Sequence, residues 1–210
     1  MKALIIANGV APDPELIRGL AKQCDLIVAA DGGSVAASVA GTSPDFIVGD
    51  LDSVPDDMIG KIPEDHVIRL ADQNATDLEK SVGFCIERGC SEIDIVGGGG
   101  GRADHTLSNL SVMVQFRDKA NIRMLDDQFE TVIVNGTAEV SGSPGTVVSL
   151  VSLGTCHGVT TEGLRWKLLN DTLTFSPRGI HNELKGETGS VSVREGNLVL
   201  FKGLWVEHHN

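Results

Sequence analysis

A change of pattern part-way along the chain narrows the possible folds more than any other feature. Up to about residue 125, short apolar runs alternate with amphipathic stretches; beyond it the helical stripes vanish. The runs Ala3 to Ala7, Leu26 to Ala30, Phe46 to Val48, Val67 to Leu70 and Ile93 to Val96 are bounded by Gly, Asp or Asn. Such runs separated by helical patterns predict βαβ units. Asp13-Pro14 reads as a helix cap followed by a first-turn proline, and Thr76 with Glu79 as a capping box whose helix stops at Gly89. A further helix is predicted from about Asp104 to Arg117. In the remainder, Thr131 to Val134, Val147 to Leu153, Leu164 to Leu168, Thr172 to Phe175, Ser190 to Arg194 and Leu198 to Phe201 read as strands, with Glu195-Gly196-Asn197 as a hairpin turn. The expectation is an α/β domain followed by an all-β domain, with the boundary near Arg123 to Gln128.

Charge and composition exclude some functions. The chain has 210 residues with 17 Lys and Arg against 29 Asp and Glu, a net charge of −12. Nucleic-acid binders present basic surfaces, so this excess of acid argues against nucleic acid as a main partner. There is no run of about 18 apolar residues, and the apolar stretch at the N-terminus is too short for a signal peptide, so no membrane partner and a cytoplasmic location are expected. The four cysteines form no CxxC pair and are expected to be reduced thiols. His208 and His209, in the closing residues, are left out of any metal argument, and His66, His105 and His157 show no metal-ligand spacing.

Ligands of open parallel sheets bind beyond the carboxyl ends of the strands, so unusual residues there come first. They are Asp31-Gly32-Gly33, Gly49-Asp50-Leu51-Asp52-Ser53, the segment from Asp72 to Asp77, and Gly97 to Gly101 followed by Arg102-Ala103-Asp104. If strand geometry persists through Leu51, Asp50 and Asp52 point to one side and invite a hard cation such as magnesium. An isolated pair of this kind is usually a solvated turn, and Asp77 and Asp104 are favoured at helix starts by the macrodipole alone. Five carboxylates at successive strand ends exceed what capping requires. The glycine run suits phosphate oxygens but completes neither GxGxxG nor a P-loop, and reads equally as a mobile loop. Arg102 reads as a phosphate clamp or as a surface partner of an acid. Trp166 reads as core packing or as a platform for a flat or cationic ring. His181 and Asn182 are polar loop residues to which pattern alone assigns no role.

Taken together and in order, these clusters resemble the thiamine pyrophosphokinase family. The match lies in Ala30 to Gly33, Pro44-Asp45 through Ser53, Asp72-Gln73 with Thr76-Asp77, Gly100-Gly101-Arg102 with Asp104-His105, and Thr161 to Trp166, and it spans roughly residues 30 to 183. The resemblance implies a Rossmann-like, ATP-binding catalytic domain at 1–125 and a thiamine-binding and dimerisation β-sandwich at 126–210. It implies a Mg2+-dependent transfer of pyrophosphate from ATP to thiamine, releasing AMP, in a homodimer. Carried over by residue, Asp50, Asp52 and Asp77 look like the magnesium and catalytic carboxylates, and Arg102 like a catalytic phosphate contact. Asp31, Gly32, Gly33, Gly100, Gly101 and Asp104 look like the rest of the ATP site. Gln73, Trp166, His181 and Asn182 look like the thiamine side. His181 departs from the family's usual Gly-x-Ser-Asn, since it stands where serine is expected.

Three other readings remain open at this stage. They are the same chemistry on another alcohol such as a hydroxymethylpterin, a DxD-type phosphatase, and a non-catalytic nucleotide or thiamine sensor.

Overall fold

The computed structural model describes residues 1–55, 59–60, 62–70, 72 and 74–206. They form two compact units, Met1–Asp127 and Gln128–Asn210.

The first unit is a parallel sheet of β1 (Lys2–Ile6), β2 (Leu26–Ala30), β3 (Phe46–Gly49), β4 (Val67–Arg69), β5 (Glu92–Val96) and β6 (Asn121–Leu125), in the order β4-β3-β2-β1-β5-β6. The chain starts at β1, winds outwards to β4, and returns to β5 on the other side of β1. The β1/β5 boundary is therefore the switch point of the sheet. Helices α1 (Pro14–Ala21), α2 (Gly33–Val39), α3 (Asp77–Glu87) and α4 (Ala103–Phe116) connect the strands. Ala3 to Ile6 and Ile93, Ile95 and Val96 are all buried, as expected of strands covered on both faces.

The expected caps are present. Asp13 accepts a hydrogen bond from Glu15 N–H at 2.7 Å ahead of Pro14, and Thr76 Oγ1 accepts from Glu79 N–H at 3.2 Å. Gly89 ends α3 with a φ of +83°, a conformation that favours glycine.

Two elements of this unit were not expected from sequence. β6 carries Asn121 and Arg123, which break its apolar run. Arg123 is accommodated because it bonds the buried Asp94 of neighbouring β5 at 2.8 and 2.9 Å, with Lys2 Nζ completing the group at 2.9 Å. α2 is only seven residues long, opens on Gly33, carries two serines and two valines, and has no side-chain cap. It forms because Gly33 lets its first turn lie directly on β1.

The second unit is antiparallel. It contains β7 (Phe129–Val134), β8 (Thr137–Ser141), β9 (Thr146–Glu162), β10 (Asp171–Thr174), β11 (Asn182–Glu183), β12 (Thr188–Ser192) and β13 (Glu195–Val206). The 17-residue β9 serves two ladders: β13 and β7 extend from its first half, and β12 and β8 from its last residues. Val134, Val148, Leu150, Leu198 and Leu200 of one ladder pack with Val140 and Val191 of the other in a single core, which makes the unit a β-sandwich.

Two expectations fail here. Leu164 to Leu168 is not a strand: Leu164 makes an isolated bridge to Leu184, Arg165 N–H donates to the Glu183 carbonyl, and the Asn182 and Thr161 side chains take the backbone of Trp166 and the Leu168 N–H. Glu195-Gly196-Asn197 is not a hairpin turn either. These residues lie inside β13, where its register against β9 shifts, and a Cβ on Gly196 would lie 2.5 Å from the Thr155 carbonyl oxygen. Glycine is there for a bulge, not a reversal.

Candidate active site

Beyond the carboxyl ends of β1, β2, β3 and β5 lies a cavity of about 500 Å³. Its walls are Asn8 to Val10 after β1, Asp31 after β2, Asp50, Asp52 and Ser53 after β3, Thr76 and Asp77 at the start of α3, and the glycine loop with Arg102, His105 and Asn109.

Asp31, Asp50 and Asp77 converge, each offering a carboxylate oxygen within 4.8 Å of the others. Local backbone geometry produces the convergence. Asp31 has φ +47° and is tied by its N–H to the Val48 carbonyl of β3 at 3.0 Å. β3 ends at Gly49, and Leu51 turns left-handed at φ +70° so that its side chain packs with Ala29, Ile47 and Val54. The strand geometry expected through Leu51 is therefore absent, and Asp50 and Asp52 are not two equivalent strand side chains. Asp50 Oδ1 instead accepts from Asp52 N–H at 3.2 Å, and Asp52 accepts from the Ser53 hydroxyl at 2.9 Å. Asp52 lines the same cavity without joining the group of three found among the described residues. Gly49 makes the crowding possible, since a Cβ there would lie 3.0 Å from Asp31 Cβ and 3.2 Å from Asp77 Oδ1.

Three carboxylates this close repel one another strongly unless a cation lies among them. Asp31 is buried, and its Oδ1 has no hydrogen-bond partner among the described residues. A buried carboxylate oxygen left unpaired is costly, and an all-oxygen donor set of this kind fits magnesium or a similar hard divalent ion. A cationic side chain is also present. Lys80, one turn after Asp77 on α3, places Nζ 3.1 Å from Asp77 Oδ1.

The glycine loop is bound to the loop after β1. Ala7 N–H donates to Val96 O at 2.8 Å and Gly9 N–H to Gly97 O at 2.8 Å, while Asn109 Nδ2 holds the Gly98 carbonyl at 2.7 Å. Gly100 and Gly101 line the cavity with φ of +73° and +67°. Gly32 and Gly33 are not part of the cavity wall, and Gly33 serves helix packing. Arg102 lines the cavity and grips Asp104, itself outside the wall, at 3.1 and 2.6 Å. These hydrogen bonds from Arg102 hold the Asp104 carboxyl down to about 2. The pairing is fully present above the ordinary carboxylate range and is lost only as pH falls through about 2.

The remaining sequence candidates belong to the second unit, except Gln73, which lies outside the described residues. Trp166 is 53% exposed. Its backbone is clamped at both polar atoms by the buried Asn182: Oδ1 accepts from Trp166 N–H at 3.0 Å and Nδ2 donates to Trp166 O at 2.7 Å. Asn182 thus acts on Trp166 through its whole carboxamide. Arg165 lies 5.1 Å from the Trp166 ring centre and pairs with Glu183 at 2.6 Å. His181 is exposed at φ +67°, its N–H on Ser149 Oγ at 3.0 Å.

Sequence reasoning missed Asn8, Val10, Asn109 and Lys80, and named His105 only within the family motif without giving it a role. Asn8 and Val10 were within reach, because they follow the first apolar run and the strand-end argument applies there too. Lys80 gave no signal, since a lysine on a helix is ordinarily a solvated residue.

An open parallel sheet with a carboxylate-lined cavity at its switch point, followed by a β-sandwich, defines a two-domain α/β plus all-β protein. Residues 17–125 match the model of the thiamin pyrophosphokinase catalytic domain, and residues 135–198 that of the thiamin pyrophosphokinase vitamin B1 binding domain. The chain belongs to the thiamin pyrophosphokinase family. It is 28% identical over 210 residues to thiamine pyrophosphokinase of Bacillus subtilis, covering 94% of this chain and 96% of that protein. It is 28% identical over 172 residues to thiamin pyrophosphokinase 1 of Caenorhabditis elegans, covering 75% of this chain and 69% of the relative. Among solved structures, thiamine pyrophosphokinase from Bacillus subtilis superposes with a TM-score of 0.83 at 24% identity, covering 97% and 99% of the two chains. The enzyme from Geobacillus thermodenitrificans gives 0.80 at 25% identity, covering 97% of each. No helix among the described residues is long and apolar enough to cross a membrane.

Proposed function

We propose that this protein transfers the pyrophosphoryl group of ATP to the hydroxyl of thiamine, giving thiamine diphosphate and AMP. The observation that carries the reading is the convergence of Asp31, Asp50 and Asp77 in a glycine-lined cavity of a chain whose two halves match the two domains of this family. The hydroxyl oxygen attacks the β-phosphorus of ATP, a P–O bond forms there, and the bond from that phosphorus to the oxygen bridging to the α-phosphate breaks. AMP leaves with that oxygen.

This chemistry needs little covalent help, only alignment and cancellation of charge. Asp31, Asp50 and Asp77, with Asp52 on the same wall, would hold a magnesium ion. When bound, the ion neutralises phosphate charge and fixes the phosphate oxygens. The Gly100 and Gly101 backbone cradles phosphate oxygens, and Arg102 exchanges Asp104 for phosphate, a stronger bidentate partner. Asp77 also orients the attacking hydroxyl and accepts its proton. In the second unit Trp166, fixed by Asn182, offers a face for the cationic thiazolium or the flat pyrimidine, and the resemblance assigns His181 to the same substrate. The resemblance alone assigns Gln73 a part in thiamine binding.

A homodimer is part of the proposal. Leu169, Phe175 and Ile180 are exposed apolar residues on the second unit, at 82, 70 and 51%, and a partner surface would cover them. So is a cytoplasmic setting, in keeping with four free thiols, three of them buried. A competition assay tests the choice of alcohol. With ATP and Mg2+, thiamine is expected to be converted and a hydroxymethylpterin left unchanged; turnover of the pterin alone would move the substrate.

A further inference from the structure

We propose that Lys80 is the resident counter-cation of the carboxylate triad, and that it lowers the protein's affinity for free divalent ions so that metal enters together with nucleotide phosphate. The inference rests on the function proposed above and concerns the cation site itself.

Lys80 follows Asp77 by three residues on α3, the spacing that returns a side chain over the preceding turn. Its ammonium lies 3.1 Å from Asp77 Oδ1, and its side chain is only 6% exposed against 31% for Asp77. Lysines are almost never this buried without a partner. Here the partner belongs to a group of three carboxylates within 4.8 Å of one another. The third member, Asp31, keeps a buried oxygen with no hydrogen-bond partner among the described residues. Lys80 therefore offsets part of the charge of the triad and leaves a net negative pocket.

A divalent ion approaching that pocket is attracted by the carboxylates and repelled by Lys80 at close range. ATP changes the balance, because its phosphates add negative charge and oxygen ligands on the open side of the cavity. The lysine thus penalises the free ion more than the ion bound to nucleotide. A purely structural lysine that only holds Asp77 in place makes the opposite prediction, since its loss would loosen a ligand and weaken metal binding.

The test is Mn2+ titration of the nucleotide-free protein by calorimetry or by electron paramagnetic resonance. Lys80→Met is expected to bind Mn2+ about ten-fold more tightly than the parent protein, Lys80→Gln to shift in the same direction, and Lys80→Arg to stay within about two-fold. With a non-hydrolysable ATP analogue bound, the gain in Lys80→Met is expected to shrink. Unchanged or weaker Mn2+ binding in both neutral variants overturns the proposal. Asp50→Asn separates this failure from failure of the metal site. Loss of Mn2+ binding in that variant supports the triad as the cation site, and binding equal to the parent protein overturns the triad itself.

Discussion

Replacing Asp77 by asparagine is expected to lower turnover of thiamine and ATP by about three orders of magnitude, the scale on which enzymes lose a transition-state charge or proton contact. The effect should fall on kcat, because Asp77 is assigned to the cation and the reacting hydroxyl and not to either substrate's periphery. The fold should survive. Asparagine is acceptable in the first turn of α3, Thr76 still caps the helix through Glu79 N–H, and the asparagine side-chain oxygen can still accept from Lys80 Nζ, which lies 3.1 Å from Asp77 Oδ1. Circular dichroism and urea unfolding of the variant provide the check on folding. A folded Asp77→Asn protein with a near-normal rate would remove Asp77 from the chemistry.

The largest stability effect is expected at Gly33. A Cβ there would lie 1.9 Å from the Ile6 carbonyl oxygen and 2.7 Å from its carbon. Both atoms belong to the backbone of central strand β1, which cannot swing aside as a side chain can. Gly33→Ala must therefore push α2 off the sheet, at an expected cost of about 3 kcal/mol or more, the upper part of the range for overpacking. Against a total stability of about 5–15 kcal/mol, that shift is readily measured. Gly83, inside α3, is the control, because nothing lies within 4 Å of its Cβ position. Gly83→Ala is expected to stabilise by about 0.5–1 kcal/mol through helix propensity alone. Chemical unfolding of the pair would show the packing argument to be wrong if Gly33→Ala matched the parent protein.

What could be read from the sequence was what local chemistry writes. The caps at Asp13 and Thr76, the stop at Gly89 and the apolar runs of β2, β3 and β5 depend on residues a few positions apart, and all stand in the structure. What could not be read depends on partners distant in sequence. β6 was hidden because Arg123 looks like a strand breaker until Asp94 is placed beside it. Leu164 to Leu168 alternates like a strand, but the Asn182 carboxamide takes the backbone bonds of Trp166.

The site divides in the same way. The strand-end carboxylates were visible as a set, whereas their grouping was not. Asp31 meets Asp50 and Asp77 because β2 lies beside β3 and Leu51 turns left-handed. Periodicity cannot foresee a left-handed leucine, and a family resemblance names positions without giving the approach of their oxygens. Lys80 was invisible for a related reason, since its role depends on the crowding of negative charge around it.

The proposed reaction is one-step pyrophosphoryl transfer supported by a cation at the triad. It is tested most directly by incubating the purified protein with ATP, Mg2+ and thiamine and following phosphorus products by 31P NMR and chromatography. Thiamine diphosphate and AMP are expected to appear in equal amounts, with no thiamine monophosphate accumulating and no turnover once EDTA removes the metal. ADP with thiamine monophosphate, free phosphate without any thiamine ester, or full activity in EDTA would contradict it.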